Sequence, residues 1–152
     1  MAQRLDIYTD GGCTGNPGPG GWAAVILTPG EDPLELSGGA DSTTNNRMEM
    51  VAVLAGLKKA VEIHGMTIPL RIHTDSQYVQ KGITQWMKGW VAKGWRTAAG
   101  KPVKNKDLWL MIKDANDRLD IDWTWVKGHA GNEWNERCDV LVGLQRELFS
   151  TK

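Results

Sequence analysis

Leu5, Ile7 and Thr9 alternate with Asp6, Tyr8 and Asp10, the period of a half-buried strand. The glycines and prolines from Gly11 to Gly21 predict a loop, and Trp22-Ala23-Ala24-Val25-Ile26-Leu27 a second strand. Pro29 to Pro33 turns the chain, and a third strand near Leu34 to Gly39 completes an antiparallel meander. From there the period becomes helical. Thr43 or Thr44 is placed to cap a long helix, with Asn45 and Asn46 also suited to its start. Met48, Val51, Ala52, Ala55 and Leu57–Val61 give a broadly helical apolar face to about Ile63, and Gly65 ends it. Leu70 to Thr74 predicts a fourth strand, with a short helix following at Asp75-Ser76. A further helix from about Ile83 carries Trp86 and Trp90. Asp107 to Leu119 is helical, Ile121 to Val126 is a fifth strand, and Asn132 to about Leu148 is the last helix.

Three strands, then helices alternating with two more, predict an α/β protein with a five-stranded mixed sheet flanked by helices. The antiparallel meander is joined by two further parallel strands. Asp10 and Asp75 then fall at strand ends, where open α/β sheets bind ligands. The 152 residues suit one domain, 1–152, with no linker, internal repeat or low-complexity tract.

Composition adds little, because 41% hydrophobic and 24% charged residues are ordinary for a globular chain. No apolar run approaches the length of a membrane span, and the first residues lack the apolar core of a signal peptide. A cytoplasmic, monomeric protein with no membrane partner is expected, and no protein partner can be read. In that reducing setting Cys13 and Cys138 are expected as free thiols. The net charge is zero, but its distribution is uneven. From Lys81 to Lys106 there are seven basic residues and no Asp or Glu, which leaves the rest of the chain seven charges negative. Such a segment, about 81–106, suits a nucleic-acid backbone.

Four acidic residues sit in four separate punctuated motifs: Asp10 before Gly11-Gly12, Glu49 after Asn45-Asn46-Arg47-Met48, Asp75 in His73-Thr74-Asp75-Ser76, and Asp139 in Asn135-Glu136-Arg137-Cys138-Asp139. Singly, each has a plain alternative. Asp10 could be a turn residue, Asp75 a helix cap, Glu49 an acid favoured by a helix N-terminus, and Asp139 a solvated helix residue. Together they suit hard divalent cations, which take oxygen ligands and share their sites with phosphates. Two such ions clamp the attacking and leaving oxygens of a phosphodiester.

At these residues the chain closely resembles the cellular type 1 ribonuclease H family in its bacterial form. The matching stretches are Thr9-Asp10-Gly11-Gly12-Cys13, Gly15 to Gly21, Thr43 to Glu49, Thr74-Asp75-Ser76-Gln77-Tyr78-Val79, Gly82 to Trp86, Lys101 to Asn105, and Trp125 to Gly131 onward to Asp139. The resemblance implies a ribonuclease H-like fold and cleavage of the RNA strand of RNA–DNA hybrids, leaving 5′-phosphate and 3′-hydroxyl ends. It implies two Mg²⁺ ions, with Mn²⁺ as a substitute. Asp10 would be shared by both, Glu49 and Asp75 would complete one, and Asp139 the other. His129, in a glycine-flanked loop, matches a proton-shuttling or product-releasing histidine.

By the same resemblance Gly11, Cys13, Asn16, Asn45, Asn46 and Gln77 contact the hybrid, several at sugars in the minor groove, where the 2′-hydroxyl marks RNA. Thr44 and Asn105 match positions that hold a phosphate of the DNA strand. The segment about 81–106 matches a basic handle gripping that strand, with Trp86, Trp90, Lys93, Trp95, Arg96, Lys101 and Lys104 as candidate contacts. Some of its tryptophans anchor the handle and others meet substrate, and the sequence does not assign each. The rivals are a DNA nuclease of transposase or resolvase type on the same fold, and a non-catalytic hybrid-binding module. Glu49, the Asn45-Asn46 pair and the handle stand against the first, and four intact carboxylates against the second.

Overall fold

The computed structural model describes residues 4–126 and 132–150. Its sheet runs in the order β3-β2-β1-β4-β5. β1 (Leu5–Cys13), β2 (Gly18–Leu27) and β3 (Leu34–Thr43) form the antiparallel meander, and β4 (Leu70–Thr74) and β5 (Ile121–Trp125) add in parallel beside β1. This is the mixed sheet that the patterning predicts.

Alternation along β1 decides what lies on each face. Leu5 and Ile7 point into the larger core with Met50, Val53 and Leu57 of α1 (Asn45–His64). Gly56 lets α1 lie close to the sheet, since a Cβ there would sit 2.8 Å from Ile7 Cγ2. Tyr8 faces the other way, beside a second cluster of Ala23, Val25, Cys138 and Val142 under α5 (Glu133–Ser150). α4 (Lys106–Arg118) packs beside α1.

The caps follow the sequence closely. Thr44 is the N-cap of α1, its Oγ1 accepting from Arg47 N–H at 3.2 Å. Asn132 Oδ1 accepts from the N–H groups of Trp134 and Asn135, at 3.1 and 3.0 Å, at the start of α5. α2 (Gln77–Lys81) is capped by Ser76, whose Oγ accepts from Val79 N–H at 3.1 Å, and not by Asp75.

Two expectations need correcting. Gly11 to Gly21 is not a loop: β1 continues to Cys13 and β2 begins at Gly18, leaving only 14–17 between them. Gly11 pairs with Trp22 and Gly12 with Gly21, and β3 extends beyond Gly39 to Thr43 by pairing with Gly18 and Gly20. These glycines answer to neighbouring helices rather than to turns. A Cβ on Gly11 would overlap the backbone of Met48 and Glu49, and one on Gly21 would press on α5 at Val142 and Gln145. The second correction concerns the helix expected from Ile83. Helical backbone starts at Gln77 and runs through α2, a π-helical turn (Gly82–Trp86) and α3 (Met87–Ala92). A Cβ on Gly82 would overlap the ring of Trp109, so this glycine marks close packing inside the helix.

Candidate active site

β1 carries Asp10 to the sheet end, in register with Ala23 of β2, so it is a strand residue rather than a turn residue. α1 lies against the bare backbone of Gly11 and so brings Glu49 to the same point. β4 ends one residue before Asp75, and α5 supplies Asp139 from the other face. One carboxylate oxygen from each of Asp10, Glu49 and Asp75 lies within 4.8 Å of the other two. These three and Asp139 line one cavity of about 470 Å³, together with Gly11, Asn45, Asn46 and Gln77.

The electrostatics are those of acids held together against repulsion. Burial, with the charges of Asp75 and Asp139, pushes the Asp10 carboxyl up to about 7 despite hydrogen bonds from Gly11 and with Glu49. Burial, then Asp10 and Asp75, holds Glu49 well above the usual carboxylate range. Glu49 Oε2 is buried with no hydrogen-bond partner among the described residues. An orphaned acceptor of this kind is costly unless a cation or donor meets it. Converging oxygen donors and high negative charge suit a hard divalent ion, and these residues fit one.

Cys13 and Asn16 lie just outside this cavity and brace it. Asn45 Oδ1 accepts from Cys13 N–H at 2.7 Å, and Asn16 Oδ1 accepts from Asn45 N–H at 3.1 Å and from Cys13 Sγ at 3.4 Å. Cys13 and Cys138 are free and buried. Burial pushes the Cys138 thiol up to about 12, so it stays protonated.

Thr44 and Asn105 form a second polar spot, joined by Arg47. Arg47 N–H bonds Thr44 as the helix cap, and Arg47 Nη1 donates to Asn105 Oδ1 at 3.2 Å. A fork from Arg47 to Asp107, at 3.1 and 2.9 Å, fixes the guanidinium. Asn105 Nδ2 donates to the Tyr78 hydroxyl at 3.1 Å, which also accepts from Trp109 Nε1 at 3.1 Å. Arg47 and Tyr78 are thus supporting residues that motif reading did not single out, and Trp109 joins them from the core. Arg47 and Tyr78 lay inside quoted motifs, but their roles depend on contacts with residues far along the chain.

The tryptophans divide by depth. Trp109 is fully buried, Trp90 and Trp95 are half-buried, and Trp86 is exposed. Their rings adjoin in a series: Trp90 lies 5.4 Å from Trp109, 6.0 Å from Trp95 and 5.9 Å from Trp86, centroid to centroid. Lys93, Arg96, Lys101 and Lys104 are all exposed. A short hairpin holds the latter part of the segment, with Arg96 bridged to Pro102 and Thr97 N–H bonded to Lys101 O at 2.7 Å. His129 falls outside the described residues.

A mixed sheet of this order, with acidic residues gathered at the end of β1 and β4, defines the ribonuclease H-like fold. The RNase H family profile matches residues 2–147. Ribonuclease H of Chromobacterium violaceum is 53% identical over 141 residues, covering 92% of this chain and 92% of that protein. Ribonuclease HI of Caulobacter vibrioides is 51% identical over 142 residues, covering 93% of this chain and 92% of the relative. The crystal structure of LC9-RNase H1, a type 1 RNase H with the type 2 active-site motif, superposes with a TM-score of 0.82 at 29% identity, covering 99% of this chain and 75% of that one. LC11-RNase H1 in complex with an RNA/DNA hybrid shares the fold, with a TM-score of 0.72 at 23% identity over 95% of this chain and 97% of its own. The chain belongs to the RNase H family, in its bacterial type 1 form. Its activity is that of an endoribonuclease on RNA–DNA hybrids.

Proposed function

We propose that this chain hydrolyses the RNA strand of RNA–DNA hybrids with two divalent cations, Mg²⁺ or Mn²⁺, leaving 5′-phosphate and 3′-hydroxyl ends. The observation that carries the reading is the convergence of Asp10, Glu49 and Asp75 oxygens within 4.8 Å, with Glu49 Oε2 buried and orphaned. Asp10, Glu49 and Asp75 would hold one ion, and Asp10 with Asp139 the other. Bound there, the cations supply an activated water and neutralise charge on the leaving oxygen.

The chain's own groups do the rest. The acids set where the ions sit, and Gly11 keeps Glu49 within reach of Asp10. Asn45, Asn46 and Gln77 present amides along the cavity to the sugar edge of the hybrid, and Cys13 with Asn16 hold Asn45 in place. Thr44 and Asn105, held by Arg47, take a phosphate of the DNA strand. His129 moves a proton or hastens product release. The basic handle, with Trp86, Trp90 and Trp95 beside it, grips the DNA strand as part of the single domain 1–152. All four acids come from one chain, which supports a monomer. A cytoplasmic setting agrees with two unpaired thiols. Among the described residues no helix is long and apolar enough to cross a membrane.

Purified protein with labelled hybrid, with and without Mg²⁺, tests the reading. Metal-dependent cuts confined to the RNA strand are expected, with no cutting of the all-deoxy duplex of the same sequence. Comparable cleavage of that duplex would put the chain with DNA nucleases.

A further inference from the structure

We propose that Arg146 is a phosphate-binding residue of this site, taking the RNA-strand phosphate one step from the cleaved one; this rests on the hybrid nuclease reading above. Asp139, Val142 and Arg146 follow one another at helical spacing along one face of α5, and all three line the carboxylate cavity. Among the described residues lining that cavity, Arg146 is the one basic side chain.

Its position is fixed from below. Gly21 has no side chain, so the α5 backbone lies directly on β2: a Cβ at Gly21 would sit 2.8 Å from Val142 O and 3.2 Å from Arg146 N. The side chain then extends over Gly12, with Nη1 4.0 Å from where a Gly12 Cβ would stand and Asn45 Oδ1 3.8 Å from the same point. Gly12 shares its face of β1 with Asp10, two residues back. At about 3.3 Å per residue the two positions are roughly 7 Å apart along the strand, so Arg146 stands beside the carboxylates and not on them.

Among the described residues, no hydrogen bond or ion pair engages the Arg146 guanidinium. Nε is buried without a partner among the described residues, and no carboxylate there lies within ion-pair distance of the guanidinium. A planar fork of unpaired donors at the rim of an acidic cavity matches the oxygens of a phosphate. The carboxylates and their ions would face the reacting phosphate, and Arg146 its neighbour.

The test compares wild type with Arg146→Met, which keeps an apolar stem, with Arg146→Lys, and with Arg118→Met on α4 as a charge-matched control. Hybrid affinity is measured in Ca²⁺ at several salt concentrations, steady-state cleavage in Mg²⁺, and folding by thermal melts. For Arg146→Met, a loss of affinity of about tenfold is expected, the worth of one charge-assisted hydrogen bond. The log–log salt slope should flatten by about 0.9, the duplex value per phosphate. KM should rise with kcat nearly unchanged, as for binding uniform between ground and transition state. Arg146→Lys should recover the slope but only part of the affinity, because it lacks the fork. Arg118→Met should match wild type in both.

An Arg146→Met protein with wild-type affinity and slope overturns the proposal, as does one altered only in melting temperature or kcat. Wild-type protein that neither binds nor cuts hybrid overturns the functional reading and this proposal together. A failure confined to the Arg146 variants overturns only the latter.

Discussion

At the carboxylate corner Asp10 is 7% exposed, and its companions arrive from α1, from the end of β4 and from α5. In the basic segment, all seven cations from Lys81 to Lys106 lie on the surface, and they come from one continuous stretch of chain. The corner holds like charges under burial, a state that carries an energetic cost until a cation arrives. The basic segment keeps its charges exposed to water, so its basicity costs the fold little. One region therefore should govern the chemical step and the other the strength of attachment.

Asp10→Asn is the sharpest way to separate them, and the largest effect. Cleavage should fall well over tenfold at saturating Mg²⁺ while hybrid binding in Ca²⁺ is kept and the metal-free protein melts no lower. The sign follows from Asp10's folded value of about 7 against an ordinary 3.8. A carboxyl raised on folding adds stability that is full below about pH 4 and is lost as pH rises through about 7. The asparagine variant should lack that loss, which melts between pH 4 and 8 without metal will show. In wild type, protons and divalent ions compete for the same oxygens. Activity should therefore rise through pH 7 at low metal and reach its plateau at lower pH as metal is raised.

His129→Ala ranks next. A proton-moving group is typically worth about 10² to 10⁴ in rate, and water replaces part of a shuttle's work, so kcat should drop toward the lower end with KM little changed. A loss equal to that of Asp10→Asn would make the histidine indispensable rather than auxiliary.

Removing Lys93, Arg96, Lys101 and Lys104 together tests the other side of the comparison. Affinity should weaken far more than turnover at saturating substrate, and two or three true phosphate contacts should flatten the salt slope by about 2 to 3. An unchanged slope would make the segment merely a solvated face. The smallest effect belongs to Tyr78→Phe, which removes the oxygen that orients Asn105 and accepts from Trp109. A hydrogen bond of about 1 kcal/mol predicts a KM rise of a few fold with kcat held. A change in kcat instead would tie this residue to the chemistry.

The handle and the corner were also unequally legible. Basic residues clustered in sequence announce themselves, and Asp10, Glu49, Asp75 and Asp139 stood out through their motifs. A cap at Thr43 or Thr44 was visible because capping is local, the structure choosing Thr44, and the mixed sheet was visible from its periodicities. The glycines from Gly11 to Gly21 misled, because their purpose is a close approach by α1 and α5, which no local rule encodes. The short helix after Asp75-Ser76 was legible, but its continuity with the helix expected from Ile83 was hidden by the π-helical turn, where Gly82 makes room for Trp109. Arg146 and the Arg47–Asn105–Tyr78 contacts join residues far apart in the chain, and only the fold brings them together.

The series of indole rings from buried Trp109 through Trp90 to exposed Trp86 has an optical consequence. Indole rings with centroids 5.4 and 5.9 Å apart are close enough for their excited states to couple, and a strong near-ultraviolet circular dichroism signal is expected. The handle thereby carries an intrinsic reporter joined to the core at one end and open to solvent at the other. A strand settling on the outer ring should disturb the whole spectrum, which would test without a label, and separately from any cut in the RNA, whether this segment takes nucleic acid.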